Sequence, residues 1–201
     1  MKRGAYYPIF LDLAEKRCVV IGGGRVAERK CTSLIKAGAR VTVISPEITK
    51  RLSAYKEKGM IRHIPRGYRK GDIRSAFLVI AATASEETNR RIAEDARGGN
   101  TLLNVVDTPS LCNFIVPSVV RRGLLTIAIS TGGASPALAK EIRKELQRIY
   151  GPEYARYLSL LKEARSKAMK EIGDKKRRKE FLKGLALKIR DTKGRGSVKG
   201  R

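Results

Sequence analysis

Val19-Val20-Ile21-Gly22-Gly23-Gly24-Arg25-Val26-Ala27 is the stretch on which the fold turns. A β-branched run stops at three glycines. A helical pattern follows at once, with Leu34 and Ile35 on one face and Gly38 as its stop. The result is G-x-G-x-x-A between a strand and a helix, the setting a dinucleotide-binding turn requires. Gly22 permits the tight turn, Gly24 lets a pyrophosphate approach the backbone, and Ala27 lets helix and strand pack closely. The helix start at Arg25 and Val26 offers free N–H groups and partial positive charge. Gly22, Gly23, Gly24, Arg25 and Val26 are therefore candidate cofactor-binding residues. The alternative is a glycine turn with a purely structural role, and the flanking strand and helix argue against it.

Outward from this turn, strand and helix alternate. Cys18–Ile21, Arg40–Ser45, Met60–Ile64, Phe77–Ala82 and Thr101–Val106 read as strands. Uninterrupted apolar runs of this length fit a parallel sheet buried on both faces. Helices are expected at Ala27–Ala37, at Ile48–Lys58 and from Ser85 to about Arg97, with Glu86 and Glu87 favourable in the first turn of the last. This is the pattern of an α/β Rossmann-type domain.

After Asp107 the rhythm changes. Phe114–Pro117 and Leu124–Ser130 read as two strands around Arg121-Arg122-Gly123. Ser135 and Pro136 open a helix whose Leu138, Ile142, Leu146 and Ile149 form one apolar stripe. Further helices are expected from Glu153 to about Ile172 and from Lys175 to Ile189, and a disordered tail from Asp191. The expected domains are 1–112, 113–150, a helical region 151–190 and the tail 191–201.

The chain of 201 residues carries 44 Lys and Arg against 19 Asp and Glu, a formal net charge of +25. Residues 162–201 alone hold 16 basic and 5 acidic residues, so the rest of the chain is basic too. Such a field attracts polyanions or a polycarboxylate. The three cysteines, Cys18, Cys31 and Cys112, show no C-x-x-C spacing, and the single His63 reads as an ordinary strand residue. Neither a disulfide framework nor a metal site is expected. No signal peptide or apolar membrane span is visible, so a soluble cytoplasmic protein is expected.

An acidic residue is expected near the end of the second strand to meet the ribose. Ser45, Pro46 and Glu47 stand there; Pro46 and Glu47 are candidates, and the spacing leaves NAD and NADP both open. Asp107 lies just past the carboxyl end of a strand, the edge at which open α/β sheets bind ligands. Its residue type suits proton acceptance; capping of the Thr108-Pro109 turn is the other reading. Thr83, after the fourth strand, falls near the same edge.

Several blocks together resemble the precorrin-2 dehydrogenase family, the N-terminal part of sirohaem synthase. They are Tyr7–Leu13, Val20–Lys30, Ala37–Val43, Ala81–Thr83, Asn104–Asp107, Cys112–Ser118 and Ser130–Pro136, in the family's order through about residue 150. The resemblance implies NAD-dependent oxidation of precorrin-2 to sirohydrochlorin, with iron insertion as well in some members. It implies that Asp107 is the essential aspartate and that the region after the Rossmann domain is a small α+β dimerisation element of a homodimer. It places Asn104 and Thr131 at the tetrapyrrole, with Gly132 and Gly133, which would let a planar ligand approach; a flexible connector into the helix at Pro136 is the other reading of the two glycines. Arg25, Arg121 and Arg122 become candidates for pairing the substrate's carboxylates.

Two other readings compete. A dinucleotide-sensing module could bind nucleic acid through Lys175-Lys-Arg-Arg-Lys179. No helix-turn-helix or zinc-finger pattern supports that, and aromatics are sparse apart from Tyr150, Tyr154 and Tyr157. A different small-substrate dehydrogenase is disfavoured because no Tyr-x-x-x-Lys pair follows the sheet.

Overall fold

β1 (Arg17–Ile21) is apolar on both faces because the sheet it joins is covered twice. Cys18 and Val20 enter one buried cluster and Val19 and Ile21 the other. The computed structural model describes residues 6–194, with side chains through residue 188. Within these, α1 (Arg25–Lys36), β2 (Arg40–Ile44), α2 (Lys50–Glu57), β3 (Ile61–Ile64), β4 (Leu78–Ala81), α3 (Glu86–Ala96) and β5 (Leu102–Val105) follow in order. All five strands are parallel, in the order β3-β2-β1-β4-β5. Ala27, Cys31 and Leu34 of α1 and Leu52 of α2 pack on one face; Ile92 and Ala93 of α3 pack on the other. Each fully buried Val or Ile contributes roughly 1.5–3 kcal/mol through water removal. Burial also lifts the thiols of Cys18 and Cys31 to about 11 and about 12.

The expected elements of this half appear with ends displaced by a residue or two. The second helix starts at Lys50 because the Thr49 side chain accepts from Leu52 N, leaving Ile48 to pack as a loop residue. Ser85 caps α3 as expected, accepting from Thr88 N.

Chain contacts divide the molecule at Val116/Pro117. The second unit holds β6 (Ser118–Arg122), β7 (Leu125–Ile129), α4 (Pro136–Ile149), α5 (Glu153–Glu171) and α6 (Lys175–Gly194). The two regions expected as 113–150 and 151–190 thus lie in one unit. The expected strand at Phe114–Pro117 is absent. Phe114 packs against the α1-side core instead, and Pro117 has no N–H for a ladder. The hairpin instead pairs Arg122 with Leu125 across Gly123-Leu124, with Gly123 at φ 56°. A Cβ on Gly123 would come within 3.0 Å of Ala155, so α5 sits tightly on this turn.

Ser135 caps α4 and Pro136 occupies its first turn, as expected. The α4 stripe is largely open: Leu138 is 53% exposed and Ile149 57%, and Ala139 is the buried residue of the helix. Tyr150, Tyr154 and Tyr157 pack edge to face on one another. The run Lys175–Lys179 lies in the first turns of α6. That helix continues through Gly194, so 191–194 are helical and not tail: Asp191 through Lys193 contain no Pro or Gly to stop propagation. The remainder of the expected tail, 195–201, lies outside the described residues.

Candidate dinucleotide site and the Asp107 turn

The strand order reverses between β1 and β4, and ligands of open α/β sheets bind in the crevice at such a switch point. Here the three glycines do three different jobs. Gly22 has φ +116°, and a Cβ on it would lie 2.3 Å from the Ala82 carbonyl oxygen, so it closes the turn of β1 against the end of β4. Gly23 would place a Cβ 1.8 Å from the Glu47 carbonyl oxygen; its own carbonyl accepts from Thr49 N, locking the β2–α2 loop onto the turn. Gly24 has ordinary extended backbone (φ −80°, ψ −174°), and a Cβ there would meet nothing within 4 Å.

That open space lies at the start of α1. The side chains of Thr49 and Ser85 cap the other two helices of this unit, but Gly24 caps α1 with no side-chain hydrogen bond. The N–H groups of the first turn, at Arg25 and Val26, are left for an anion. Gly22, Gly23, Gly24, Pro46 and Thr83 line one cleft of about 430 Å³, with Ser45 and Tyr68 on its walls. The residues fit a dinucleotide: open space at Gly24, free N–H donors at the start of α1 that suit a phosphate, and an uncharged Ser45-Pro46 end for the ribose. Arg25, Val26 and Glu47 are not on the cleft wall, and Glu47 acts through its backbone oxygen against Gly23. His63 Nε2 pairs with the Ser45 carbonyl oxygen at 2.9 Å, a structural role.

Thr83 donates to Asn89 Oδ1 at 2.9 Å, and Asn89 Nδ2 donates back to the Thr83 carbonyl. Asn89 is buried on α3 and also lines a second cleft of about 470 Å³, whose rim includes Asp107, Thr108, Arg90 and Arg97. A small polar residue four positions after the N-cap was the only signal for Asn89 in the sequence.

Asp107 sits beyond the carboxyl end of β5 at φ 58°, in the left-handed region that non-glycine residues rarely enter. It is exposed, and its carboxylate makes no hydrogen bond or ion pair among the described residues. The 3-10 turn at Pro109–Leu111 has no side-chain cap bond, so capping does not account for Asp107. The turn is held by its neighbours. Cys112 Sγ accepts from Val105 N at 3.1 Å and lies 3.4 Å from the Thr108 carbonyl as a donor. Asn113 Oδ1 accepts from Leu103 N at 2.7 Å, and Asn104 donates to the Phe114 carbonyl at 3.2 Å. The Cys112-Asn113-Phe114 block therefore zips the chain along the edge of β5. Asn104 is buried, with its amide committed to this zipper.

Sequence reading also passed over Lys30. It shares the α1 stripe Ala27-Lys30-Cys31-Leu34, half-buried, with no hydrogen bond or ion pair to its ammonium among the described residues. Burial foremost, then the Arg29 charge, lowers its pKa, while Cys112 and Asp107 pull the other way. Arg122 donates to the Tyr150 and Gln147 carbonyls at the end of α4, so its guanidinium is engaged within the chain. Thr131, Gly132 and Gly133 form the β7–α4 loop of the second unit; Thr131 bonds reciprocally with Ser135, and both glycines have positive φ.

A family described as NAD(P)-binding matches residues 9–118, more than half of the chain. The chain belongs to that NAD(P)-binding family. A second family, described as the central part of sirohaem biosynthesis proteins, matches residues 122–149. Beyond the NAD(P)-binding unit, similarity extends over most of the chain. It is 41% identical over 180 residues, 90% of its length, to a siroheme synthase of Thioalkalivibrio sulfidiphilus. To a siroheme synthase of Methylobacillus flagellatus it is 40% identical over 174 residues. The chain spans 37% of the length of each of these relatives. A solved structure titled SirC, precorrin-2 dehydrogenase superimposes with a TM-score of 0.80 at 29% identity, covering 90% of this chain and 89% of that one. No helix among the described residues is long and apolar enough to cross a membrane.

Proposed function

We propose that this chain is an NAD-dependent dehydrogenase that oxidises precorrin-2 to sirohydrochlorin, working as a cytoplasmic homodimer. The observation that carries the reading is the Asp107 carboxylate, unpaired on a left-handed residue at the ligand-binding edge of an NAD(P)-binding sheet. The likeness to a precorrin-2 dehydrogenase and to siroheme synthases supplies the substrate.

The oxidation removes two electrons and two protons from the tetrapyrrole. Bound NAD supplies the hydride acceptor, which leaves one proton to be taken from the substrate. Asp107 takes that proton on its carboxylate, and its exposure lets the proton pass to water afterwards. Lys30, half-buried on α1, adds positive potential on the same side of the sheet. The first turn of α1 and Gly24 hold the pyrophosphate. The end of β2 offers Ser45, Pro46 and Glu47, none of them cationic, and Arg66 is engaged by Asp72, which favours NAD. Thr131, Gly132 and Gly133 provide a loop without bulk for the planar substrate. The open Leu138–Ile149 stripe supports pairing with a second copy.

Asp107→Asn is the test, because Asn tolerates the left-handed region and keeps the turn. Turnover of precorrin-2 should fall about 10²–10⁴-fold with the NAD affinity unchanged. Full activity in the Asn variant would remove Asp107 from the reaction.

A further inference from the structure

The loop between β3 and β4 is held more firmly than a connector needs. Asp72 accepts from both terminal nitrogens of Arg66 at 2.7 Å and from Arg69 N at 2.7 Å. Tyr68, between them, reaches across to α3, where its hydroxyl donates to Asp95 Oδ2 at 2.5 Å. Tyr68 also packs against the α3-side core. The same residue lines the cleft that holds the glycine turn, together with Gly67, Ser45 and Pro46. With the pyrophosphate at α1, the end of β2 is the adenosine side, and β3 is the strand beside β2. Among the described residues, Tyr68 is the aromatic residue on the wall of that cleft.

We propose that Tyr68 is the aromatic wall of a purine subsite and that the Asp95 clasp holds it in place. The inference rests on the dinucleotide reading above and names the residue that sets affinity for the adenosine half. An aromatic face binds a base through stacking that a flexible loop would have to organise first; the clasp provides that order beforehand. Burial first, and then the hydrogen bond to Asp95, raises the phenol well above its usual range, so the hydroxyl stays a donor at all working pH values.

Calorimetric titrations with ADP-ribose and with nicotinamide mononucleotide separate the possibilities. Tyr68→Phe keeps the face and loses the clasp; ADP-ribose should bind about threefold more weakly. Tyr68→Leu loses the face, and the loss should be about tenfold or more. Nicotinamide mononucleotide should bind each variant as it binds wild type. Asp95→Ala should match Tyr68→Phe, which serves if the Leu variant does not fold. Unchanged ADP-ribose affinity in the variants, or equal loss for both ligands, would overturn the proposal. Failure of the wild type to bind ADP-ribose at all would instead overturn the dinucleotide reading beneath it.

Discussion

Gly24→Asp separates binding from folding at a single position. Gly24 has backbone angles open to any residue, and its added Cβ would meet nothing within 4 Å, so the variant should fold. Asp is a better helix cap than Gly by a few tenths of ~1 kcal/mol, so stability should hold or rise slightly. The new carboxylate nevertheless occupies the N-terminus of α1, where the pyrophosphate belongs. Two like charges about 5 Å apart repel by about 3 kcal/mol at an effective dielectric of about 20, and by about half that when better solvated. The carboxylate also takes N–H donors that the phosphate needs. The combined loss should be about 2–3 kcal/mol, which is roughly 30- to 150-fold in Kd. Calorimetric titration with NAD measures it, and thermal unfolding checks the fold. Unchanged NAD affinity in a folded Gly24→Asp protein would refute the placement of the phosphate. A collapse in Tm would refute the open space at Gly24.

Three further outcomes follow from the same geometry. Gly23→Ala should destabilise by about 2–4 kcal/mol in denaturant unfolding, because its Cβ has to displace the Glu47 carbonyl oxygen that would lie 1.8 Å away; wild-type stability would contradict that packing. Arg66 holds the Asp72 carboxyl below the usual carboxylate range, with Arg69 N assisting, against the opposing effect of burial. A depressed carboxylate stabilises the fold above its unfolded pKa of about 3.9 and loses that contribution as pH falls through the lower folded value. The Tm advantage of wild type over Asp72→Asn should therefore be constant near neutrality and vanish only below about pH 4. Cys18 and Cys31, with thiols near 11 and 12, should resist a thiol reagent at pH 8 until the protein unfolds; rapid native labelling of either would contradict their burial.

Most of the first unit was legible because its signals are local. The glycine turn, the doubly apolar strands and the Ser85 cap, like the Ser135 cap of the second unit, each depend on a few adjacent residues, and each formed where the pattern placed it. What escaped depends on contacts distant in sequence. Phe114–Pro117 has strand composition, yet Phe114 turns onto the core, and the pairing falls to Ser118–Arg122. Tyr68, in a polar loop, gave no sign of lying beside Gly22 until β3 was laid next to β2. Lys30 drew no reading of its own, although its place on the Ala27–Leu34 stripe marks it as half-buried. Asp107 was identifiable as a residue, but its left-handed backbone and lack of any cap bond appear only in three dimensions.

The central claim is tested most directly by incubating the protein anaerobically with precorrin-2 and NAD while recording absorbance. One NADH should appear for each sirohydrochlorin formed, and ferrous iron can then be added to ask for chelation. Absence of both products, with NAD binding confirmed by titration, would contradict the dehydrogenase assignment.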